Sequence, residues 1–432
     1  MNGSNWRNWT GDQTCQPASL LAPTTSDEVA TALAHAGERG WTVRVAGAGH
    51  SFSDAVPTDG MLLSLELMNR VLDVDSSSGL VRVEAGITLN ALSEAVAGHG
   101  LALENLGDID VQSLAGATAT GTHGTGARLA NLSAGIQSVE LVLASGERIE
   151  VDASDDPDAW RASRVSLGAL GVVTAMTLQT VPAFTLHAVD EPRPLDEVLA
   201  GLEELADSND HFEFYTFPHS SLALTRTNNR VDEEPRPRSR ARAWVGDVLL
   251  VNHAFGLVCR TGRRWPTMIP RLNRLAARAA GSSQRVDRSY RIFASPRRVR
   301  FTEMEYAIPR GQAAAAVTAV RNLIEESGFD VPFPLEVRFV APDDAFLSPA
   351  FDRDTCYLAV HMFEKMEWEP FFRAVEDVMD DFGGRPHWGK RHFQSATSLR
   401  PRYPAWDDFM SVRDRFDPER RFVNDYIGRV LG

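Results

Sequence analysis

The length of the chain, 432 residues, predicts two domains that share an interface, because one hydrophobic core rarely grows to that size. The hydrophobic fraction of 43% and the charged fraction of 24% are those of a soluble globular protein and exclude a disordered or fibrous chain. The formal net charge of −14 argues against nucleic acid as the main partner.

The cysteines and the first residues of the chain bear on cellular location and on metal binding. Cys15, Cys259 and Cys356 lie far apart and form neither a metal-binding spacing nor a disulfide framework. We therefore expect no metal and a cytoplasmic location. The first residues lack a secretory signal pattern. The longest apolar-rich run, 243–259, contains an aspartate, an asparagine and a histidine, and predicts a buried or interfacial helix rather than a membrane span.

The first 182 residues alternate helix and strand patterns. A Thr/Ser/Asp cap followed by apolar residues at helical spacing predicts a helix over 24–40, and a second amphipathic helix is predicted over 88–100. Valine- and leucine-rich runs predict strands over 41–47, 79–86, 137–151 and 171–182.

The pattern changes after Pro182. Arginine-rich helical segments there alternate with aromatic strands such as 211–217 and 356–363, which indicates a second domain. A short tail follows Gly384, and it contains one predicted helix.

The first glycine cluster, GAGHSF at 47–52, follows a predicted strand. It fails as a dinucleotide fingerprint, because Phe52 replaces the third glycine and an aspartate and a proline stand where the phosphate-binding helix would begin. A nicotinamide-binding Rossmann domain is therefore not expected. His50 is left on a glycine hinge where no packing requirement explains a histidine.

Two further stretches of small residues occur at 113–127 and 166–173. The first holds four glycines, four threonines and His123. Either stretch alone is typical of a tight turn. Three such loops in one α/β domain predict that together they wrap an extended dinucleotide, with backbone amides and hydroxyls directed at its pyrophosphate.

Three charged or titratable motifs lie further along the chain. Glu336 and Arg338 are two residues apart on a predicted strand and so share a face, either as a solvated pair or as part of a site. His361 lies with Ala359 on one face of an apolar strand, where a lone histidine is more often a core residue. Lys390 follows a tryptophan and a flexible glycine in HWGK. By itself, this motif indicates a solvated lysine on a loop.

These segments, in this order, resemble the aldonolactone oxidoreductases, a branch of the vanillyl-alcohol-oxidase flavoprotein superfamily that includes gulonolactone and arabinonolactone oxidases or dehydrogenases and alditol oxidases. The resemblance runs from NWTGDQ near the start to HWGKRHF near the end. It implies an α+β fold: a two-subdomain PCMH-type FAD-binding domain over 13–182, and a substrate (cap) domain with an antiparallel sheet covered by helices over 183–384. Residues 385–432 would return to the FAD domain and complete the active site.

The resemblance also implies a cofactor and its contacts. FAD is expected to be bonded covalently through its 8α carbon to His50, which retains the cofactor and raises its potential. Backbone amides of neighbouring residues would meet the pyrophosphate. The other residues expected to bind FAD are Gly47, Ala48, Gly49, Ser51, Ser113, Gly116, Ala117, Thr120, Gly121, His123, Gly124, Gly171 and Val173.

The catalytic roles implied by the family fall on four residues. Arg338 and Lys390 would lie near the flavin N1 and C2 carbonyl and stabilise the negative charge that appears when hydride reaches N5. Glu336 would bind substrate hydroxyls. Lys390, or second to it His361, would accept the hydroxyl proton. Alditol oxidases carry a histidine at the position of Ala359, so His361 favours a sugar lactone such as L-gulono-1,4-lactone over a linear polyol.

Several alternatives stay open at this point. An alditol oxidase acting on xylitol or sorbitol is the rival enzyme, and a catalytically silent flavin- or sugar-binding protein is the rival of another class. The combined presence of Glu336, Arg338 and Lys390 argues against the second. The sequence does not decide between oxygen and a quinone or cytochrome as electron acceptor, and it leaves the exact lactone and the oligomeric state open.

A basic region raises a separate hypothesis. Sixteen arginines and two acids lie between Arg236 and Arg300. Within it, 266–281 interleaves apolar residues with arginines, as a cationic amphipathic helix does. It could contact an anionic membrane peripherally, or it could be a surface helix that pairs with the many acids of the chain, which is the commoner case.

Overall fold

The first 182 residues form a three-stranded sheet, a five-stranded sheet and two strand pairs, flanked by helices. The computed structural model describes residues 5–238, 252–295 and 297–432. The helices of this region are α1 Ser26–Arg39, α2 Leu89–Ala97, α3 Leu114–Ala119 and α4 Pro157–Arg164. Its strands are β1 Trp6–Arg7, β2 Thr14–Cys15, β3 Ser19–Leu21, β4 Val43–Ala46, β5 Met61–Ser64, β6 Val71–Asp75, β7 Leu80–Glu84, β8 Leu101–Ala102, β9 Ile136–Val142, β10 Arg148–Asp152, β11 Val172–Gln179 and β12 Val181–Pro182.

The two larger sheets of this region differ in strand direction. β3, β5 and β4 pair in parallel, whereas β10, β9, β11, β7 and β6 form an antiparallel sheet in that order. The predicted helices over 24–40 and 88–100 are confirmed as α1 and α2. Thr25 caps α1 at its start, and Gly40 ends it with a left-handed φ of 65°. The run 137–151 forms the hairpin β9–β10.

The second region is built on one large antiparallel sheet. Its strands are β13 Thr185–Pro194, β14 His211–Thr216, β15 Leu222–Val231, β16 Ser283–Arg288, β17 Phe301–Pro309, β18 Leu335–Val340, β19 Thr355–Phe363 and β20 Arg385–Pro386, ordered 16-13-15-14-18-19-17-20. Its helices are α5 Leu195–Ala200, α6 Leu202–Asp207, α7 Phe255–Arg264, α8 Ile269–Ala279, α9 Ser289–Phe293, α10 Ala313–Ser327 and α11 Glu369–Asp381.

One face of this sheet is covered by helices, and the other carries polar groups. Val337 and Leu358 pack into one apolar core with residues of α10 and α11, such as Val320. Because side chains alternate along a strand, Glu336 and Arg338 point to the opposite face. The sheet therefore presents charged side chains toward the first region.

The last residues return to the first region. Helices α12 Ala396–Leu399, α13 Trp406–Phe416 and α14 Asp425–Leu431 place Phe409 and Ile427 in the core that surrounds α1. The sequence predicted only one helix here, and α14 is an addition that begins at the capping residue Asn424. The loop before α12 is tied to the first region by hydrogen bonds from Ser53 Oγ to the Trp388 carbonyl (2.9 Å) and from the Phe52 amide to the Gly389 carbonyl (2.8 Å).

The two apolar runs of the basic region have different outcomes. Residues 243–251 of the predicted helix 243–259 lie outside the described residues, and α7 begins at Phe255. The segment 266–281 forms a 3₁₀ turn over Pro266–Met268 followed by α8. None of the helices in the described ranges is long and apolar enough to cross a membrane.

Candidate active site

A cavity of about 620 Å³ lies in the first region, where the small-residue loops meet. Its volume is within the range of about 300–1,000 Å³ that is usual for ligand pockets. The structure brings ten of the fourteen residues expected to bind the cofactor to its wall. These are Gly47, Ala48, Gly49, His50, Ser51, Ser113, Gly116, Thr120, Gly171 and Val173.

The loop 47–51 leaves its backbone donors free. β4 ends at Ala46, and Gly49 then adopts a left-handed φ of 68° that favours glycine. Within the described residues, the backbone N–H groups of 48–51 have no hydrogen-bond acceptor. Unpaired amides on a cavity wall suit an anionic group such as a pyrophosphate. The residues present therefore fit the expected dinucleotide.

His50 stands at the edge of this cavity. Its ring stacks on Trp9 with a centroid distance of 5.5 Å and an interplanar angle of 25°. Burial, and then the positive charge of Lys390, lower the pKa of His50 below its usual 6.5. The imidazole is therefore neutral at physiological pH.

Four residues that were expected at the cofactor do not line the larger cavity. The chain turns away after Thr120, because Gly121 takes a left-handed φ of 72° and packs against Pro349. Ala117 is buried in the core on the inner side of α3. Gly124 abuts the side chain of Asn105, and His123 lines a different cavity.

That second cavity, of about 150 Å³, lies between the charged face of the large sheet and the first region. All four residues predicted to be catalytic line it: Glu336, Arg338, His361 and Lys390. Gln112 lines both cavities, so the two adjoin. The smaller cavity also contains charged residues that the sequence analysis did not single out, namely Asp108, Arg297, Glu303 and Glu305.

Arg338 is held by carboxylates on several sides. Its Nε donates to Glu213 Oε2 at 2.8 Å, and its Nη2 contacts Glu336 Oε1 and lies 3.7 Å from Asp108 Oδ1. Burial disfavours the guanidinium, but these carboxylates outweigh it and raise the pKa of Arg338 well above its ordinary value. Burial, followed by the charges of Asp108 and Glu213, raises the pKa of Glu336 above its usual 4.5. Arg338 is therefore a fixed cation.

Lys390 is paired in the same way. Its Nζ lies 2.5 Å from Glu303 Oε2. Burial lowers its pKa, but the charges of Glu303 and Glu305 outweigh burial and raise the pKa of Lys390 above 10.5. Lys390 therefore keeps its proton at neutral pH. The loop that carries it is anchored on the sheet by the Arg391 amide, which donates to the Glu303 carbonyl at 2.9 Å.

His361 presents one nitrogen to the acids. Its Nε2 lies 3.6 Å from Glu303 Oε1 and 3.9 Å from Glu336 Oε2. Its Nδ1 is buried without a hydrogen-bond partner among the described residues. The ring packs edge-on against Phe301 and stacks on Phe333, with centroid distances of 5.1 and 5.6 Å. An apolar wall thus holds the ring while its polar edge faces the cavity.

His123, Glu305 and His387 form a buried group whose ligand atoms lie within 4.8 Å of one another. His123 Nδ1 lies 2.8 Å from the Gly124 carbonyl and must donate to it, which leaves Nε2 facing Glu305 Oε1 at 3.2 Å. His387 Nδ1 accepts the Gly389 amide, and burial lowers the pKa of His387 to about 3. Its Nε2 therefore carries the proton, and this tautomer is unsuited to a metal ligand.

A signal in the sequence could have found the missed acids. Glu303 and Glu305 alternate with Met304 and Tyr306 on β17, so one face of an otherwise apolar strand is acidic. That is the pattern that singled out Glu336 and Arg338. Asp108 and Arg297 lie on loops without periodicity, and only the fold brings them together, with Arg297 Nε 3.1 Å from Asp108 Oδ2.

Comparison with known proteins shows which family the chain belongs to. Residues 17–152 match the model of an FAD binding domain, and residues 176–430 match that of D-arabinono-1,4-lactone oxidase. The chain belongs to the D-arabinono-1,4-lactone oxidase family. It is thus an FAD-dependent oxidoreductase, and the expectations of FAD as the cofactor and of an α+β fold are confirmed.

Individual members of this family match along nearly the whole chain. The sequence is 53% identical to L-gulono-1,4-lactone dehydrogenase of Mycobacterium tuberculosis over 427 residues, 99% of each chain. It is 34% identical to L-gulonolactone oxidase of Mus musculus, covering 99% of this chain and 98% of the other. A solvent-stable cholesterol oxidase superposes with a TM-score of 0.85 at 19% identity over 98% and 96% of the chains, which supports the fold alone.

Proposed function

We propose that this protein oxidises a hydroxyl group of a sugar 1,4-lactone of the L-gulono-1,4-lactone type, using FAD bonded to His50. The observation that carries the proposal is the buried set of paired acids and cations in the smaller cavity, directly beside the larger one. When bound, FAD would supply a two-electron acceptor for the hydride, with oxygen, a quinone or a cytochrome as the final oxidant.

The three parts of the chain have different roles in this proposal. Residues 13–182 bind the cofactor, residues 183–384 bind the substrate, and residues 385–432 return to complete the site. Hydrogen bonds hold Trp388 and Gly389 to the first region, so the next residue, Lys390, lies beside the first region as well as the large sheet. These contacts support the division.

The smaller cavity suits a small, uncharged molecule rich in hydroxyl groups. Hydroxyls donate hydrogen bonds, and the carboxylates of Glu303, Glu305 and Glu336 are acceptors when ionised. Glu336 binds and orients the reacting hydroxyl in this proposal, since Arg338 already fixes one of its oxygens.

The proton acceptor is His361 rather than Lys390. Lys390 is held as an ammonium by Glu303, so it is a poor base near pH 7. His361 Nε2 faces the cavity between two carboxylates, which would stabilise the imidazolium formed when it takes the substrate proton. Arg338 and Lys390 supply fixed positive charge for the negative charge that develops during the reaction.

Covalent attachment through His50 is supported by its local chemistry. Its pKa is lowered, so an unprotonated ring nitrogen is present at neutral pH, and neither ring nitrogen has a hydrogen-bond partner among the described residues. A free nitrogen on the cavity wall can form the bond to the 8α carbon.

Acid precipitation tests the attachment. We expect yellow colour to stay with the pellet in the wild type and in His99→Ala, a control at an exposed histidine, and to leave with the supernatant in His50→Ala. Colour that leaves with the supernatant in the wild type would refute the covalent bond. A colourless protein that FAD cannot reconstitute would refute the whole proposal.

Steady-state assays test the substrate class. We expect L-gulono-1,4-lactone and related lactones to be turned over with a higher kcat/KM than xylitol or sorbitol. Oxygen uptake and reduction of an artificial dye are measured in parallel, because they separate an oxidase from a dehydrogenase. A preference for the polyols would contradict the lactone assignment.

A further inference from the structure

The helix pair α7 and α8 presents the most exposed large apolar side chains of the described residues. Leu275 is 63% exposed, Leu257 is 60% exposed and Trp265 is 54% exposed. Met268 adds a fourth, at 37%, on the turn between the helices. Single exposed apolar residues need no explanation, but a cluster on one element marks an interaction surface.

The same outer surface is basic. At 100° per residue, Leu257, Arg260 and Arg264 lie on one side of α7, opposite the buried Cys259. α8 has the same arrangement, because three arginines lie with Leu275 on the exposed side of the helix. The exposed arginines of α8 are Arg271, Arg274 and Arg278.

Within the described residues, these exposed arginines have no acidic partner. Residues 252–281 contain six arginines and no acid, although the whole chain has a net charge of −14. Across the described ranges, no carboxylate lies within 4.0 Å of any of the five exposed arginines. The alternative of a surface helix that pairs with the acids of the chain therefore does not hold in the described structure.

The helix pair is a firm platform. A Cβ on Gly262 would lie 3.0 Å from Ile269 Cγ1, so the glycine allows the two helices to approach closely. Asn273 Nδ2 donates to the Val331 carbonyl at 2.9 Å, and Arg263 Nη1 donates to the Glu364 carbonyl at 3.0 Å. The outer side chains project from a base that is fixed to the cap region.

This surface also adjoins the active site. Phe255, at the start of α7, lines the smaller cavity and packs edge-on against Phe333 with a centroid distance of 4.9 Å. Phe333 in turn stacks on His361. A partner bound to the helix pair would therefore lie next to the wall of the reaction cavity.

We propose that the outer face of α7 and α8, residues 257–278, docks on an anionic lipid bilayer. Unpaired arginines attract the headgroups, each strengthening binding by roughly fivefold near a charged surface. The two leucines, Met268 and Trp265 enter the interfacial region, where tryptophan is favoured. A purely electrostatic partner such as RNA would not require the exposed apolar residues.

Co-sedimentation with vesicles tests the proposal on the full-length holoprotein. We expect binding to vesicles of phosphatidylcholine with phosphatidylglycerol at low salt, and none to phosphatidylcholine alone. Binding should disappear in about 1 M salt, where the screening length is about 3 Å. No sedimentation with the anionic vesicles at low salt, or equal binding to both vesicle types, would overturn the proposal.

Charge-matched variants locate the surface. Arg271→Gln, Arg274→Gln and Arg278→Gln together should weaken vesicle binding roughly a hundredfold. The control replaces Arg148, Arg373 and Arg400 by glutamine, which removes the same charge from arginines that pair with acids elsewhere, and it should bind like the wild type. Equal loss in both variants would refute the assignment to α7 and α8.

Replacing the exposed leucines by serine distinguishes binding to a lipid surface from binding to other polyanions. Leu257→Ser with Leu275→Ser should weaken vesicle binding several-fold, whereas Leu67→Ser with Leu72→Ser, at two exposed leucines elsewhere, should not. Tight binding to RNA that is unchanged by the serine substitutions, with weak vesicle binding, would contradict the proposal. Dye-linked activity without vesicles should stay unchanged in all these variants, and vesicle binding does not depend on the substrate assignment.

Discussion

The two adjoining cavities use opposite chemistry. The larger is lined mainly by glycine, alanine, serine and threonine and has free backbone amides, whereas the smaller contains buried acids, arginines, histidines and a lysine. A large cofactor that stays bound can be recognised by the shape of its cavity and by backbone N–H donors, without specific side chains. A small substrate that must react requires side chains whose charge is set by their neighbours.

The comparison also explains where substitutions should act. Changes in the larger cavity should alter cofactor loading and leave the chemistry of the loaded fraction intact. Changes in the smaller cavity should alter turnover at constant cofactor content. Flavin content and turnover are therefore measured together in the variants of either cavity.

The largest effect is expected for Arg338→Met. It removes the fixed cation beside Glu336, and kcat/KM should fall about a thousandfold with flavin content unchanged. The matched control is Arg226→Met, because Arg226 also pairs with Glu213 (3.3 Å) but does not line the cavity. A similar loss of activity in both variants would mean that Arg338 acts only by organising buried charge.

Arg338→Met also leaves carboxylates unpaired in the interior. Loss of one partner of a buried pair destabilises a protein by about 3–5 kcal/mol, so thermal unfolding must accompany the kinetics. A variant that no longer folds would be replaced by Arg338→Lys, which keeps the charge but loses the contact through Nε to Glu213.

His361→Gln should lower kcat about 10²- to 10⁴-fold at unchanged flavin content, because the amide cannot accept the substrate proton. His211→Gln is the control, since His211 is a buried histidine of the same sheet that lines neither cavity. An unchanged kcat in His361→Gln would contradict the assignment of the base.

Gly47→Ala tests the larger cavity by close packing. A Cβ at Gly47 would lie 2.3 Å from Ser113 Oγ, so the loop must shift and flavin loading should fall, by about tenfold if the displacement costs about 1.4 kcal/mol. Ser113→Ala removes that oxygen, and the double variant should recover loading. If Gly47→Ala lost turnover while flavin loading stayed full, the expected difference between the two cavities would be contradicted.

The smallest effect near neutral pH concerns the buried histidine His392. Burial lowers the pKa of His392 to about 3, against about 6.5 in the unfolded chain. The unfolded state therefore binds more protons between those values, and stability should fall as pH drops below 6.5, by up to about 1.4 kcal/mol per pH unit. His392→Gln should reduce the slope of unfolding free energy against pH; an unchanged slope would contradict its buried, neutral state.

The sequence predicted the elements that local patterns encode. Strand periodicity placed Glu336 and Arg338 on one face, and the cap and the terminal glycine placed α1. The family resemblance supplied the cofactor, because no local rule connects the turn around His50 to a flavin. These inferences depend on short stretches of chain.

Other features depend on contacts that no local pattern encodes. The family resemblance implies that His123 lies at the flavin, and no local pattern shows that the left-handed turn at Gly121 brings it beside Glu305. Lys390 was ranked first as base, and only its contact with Glu303, from a distant strand, reveals its positive charge. The pairing of Asp108 with Arg297 likewise joins two loops that are far apart in sequence.

The central claim is that the charged cavity oxidises a lactone beside a flavin held in the other cavity. The most direct measurement is the visible absorbance of the holoprotein after anaerobic mixing with L-gulono-1,4-lactone. We predict that the oxidised flavin bands bleach in the wild type, and do so far more slowly in Arg338→Met and His361→Gln. A fully flavin-loaded wild type that neither a lactone nor a polyol bleaches would contradict the account.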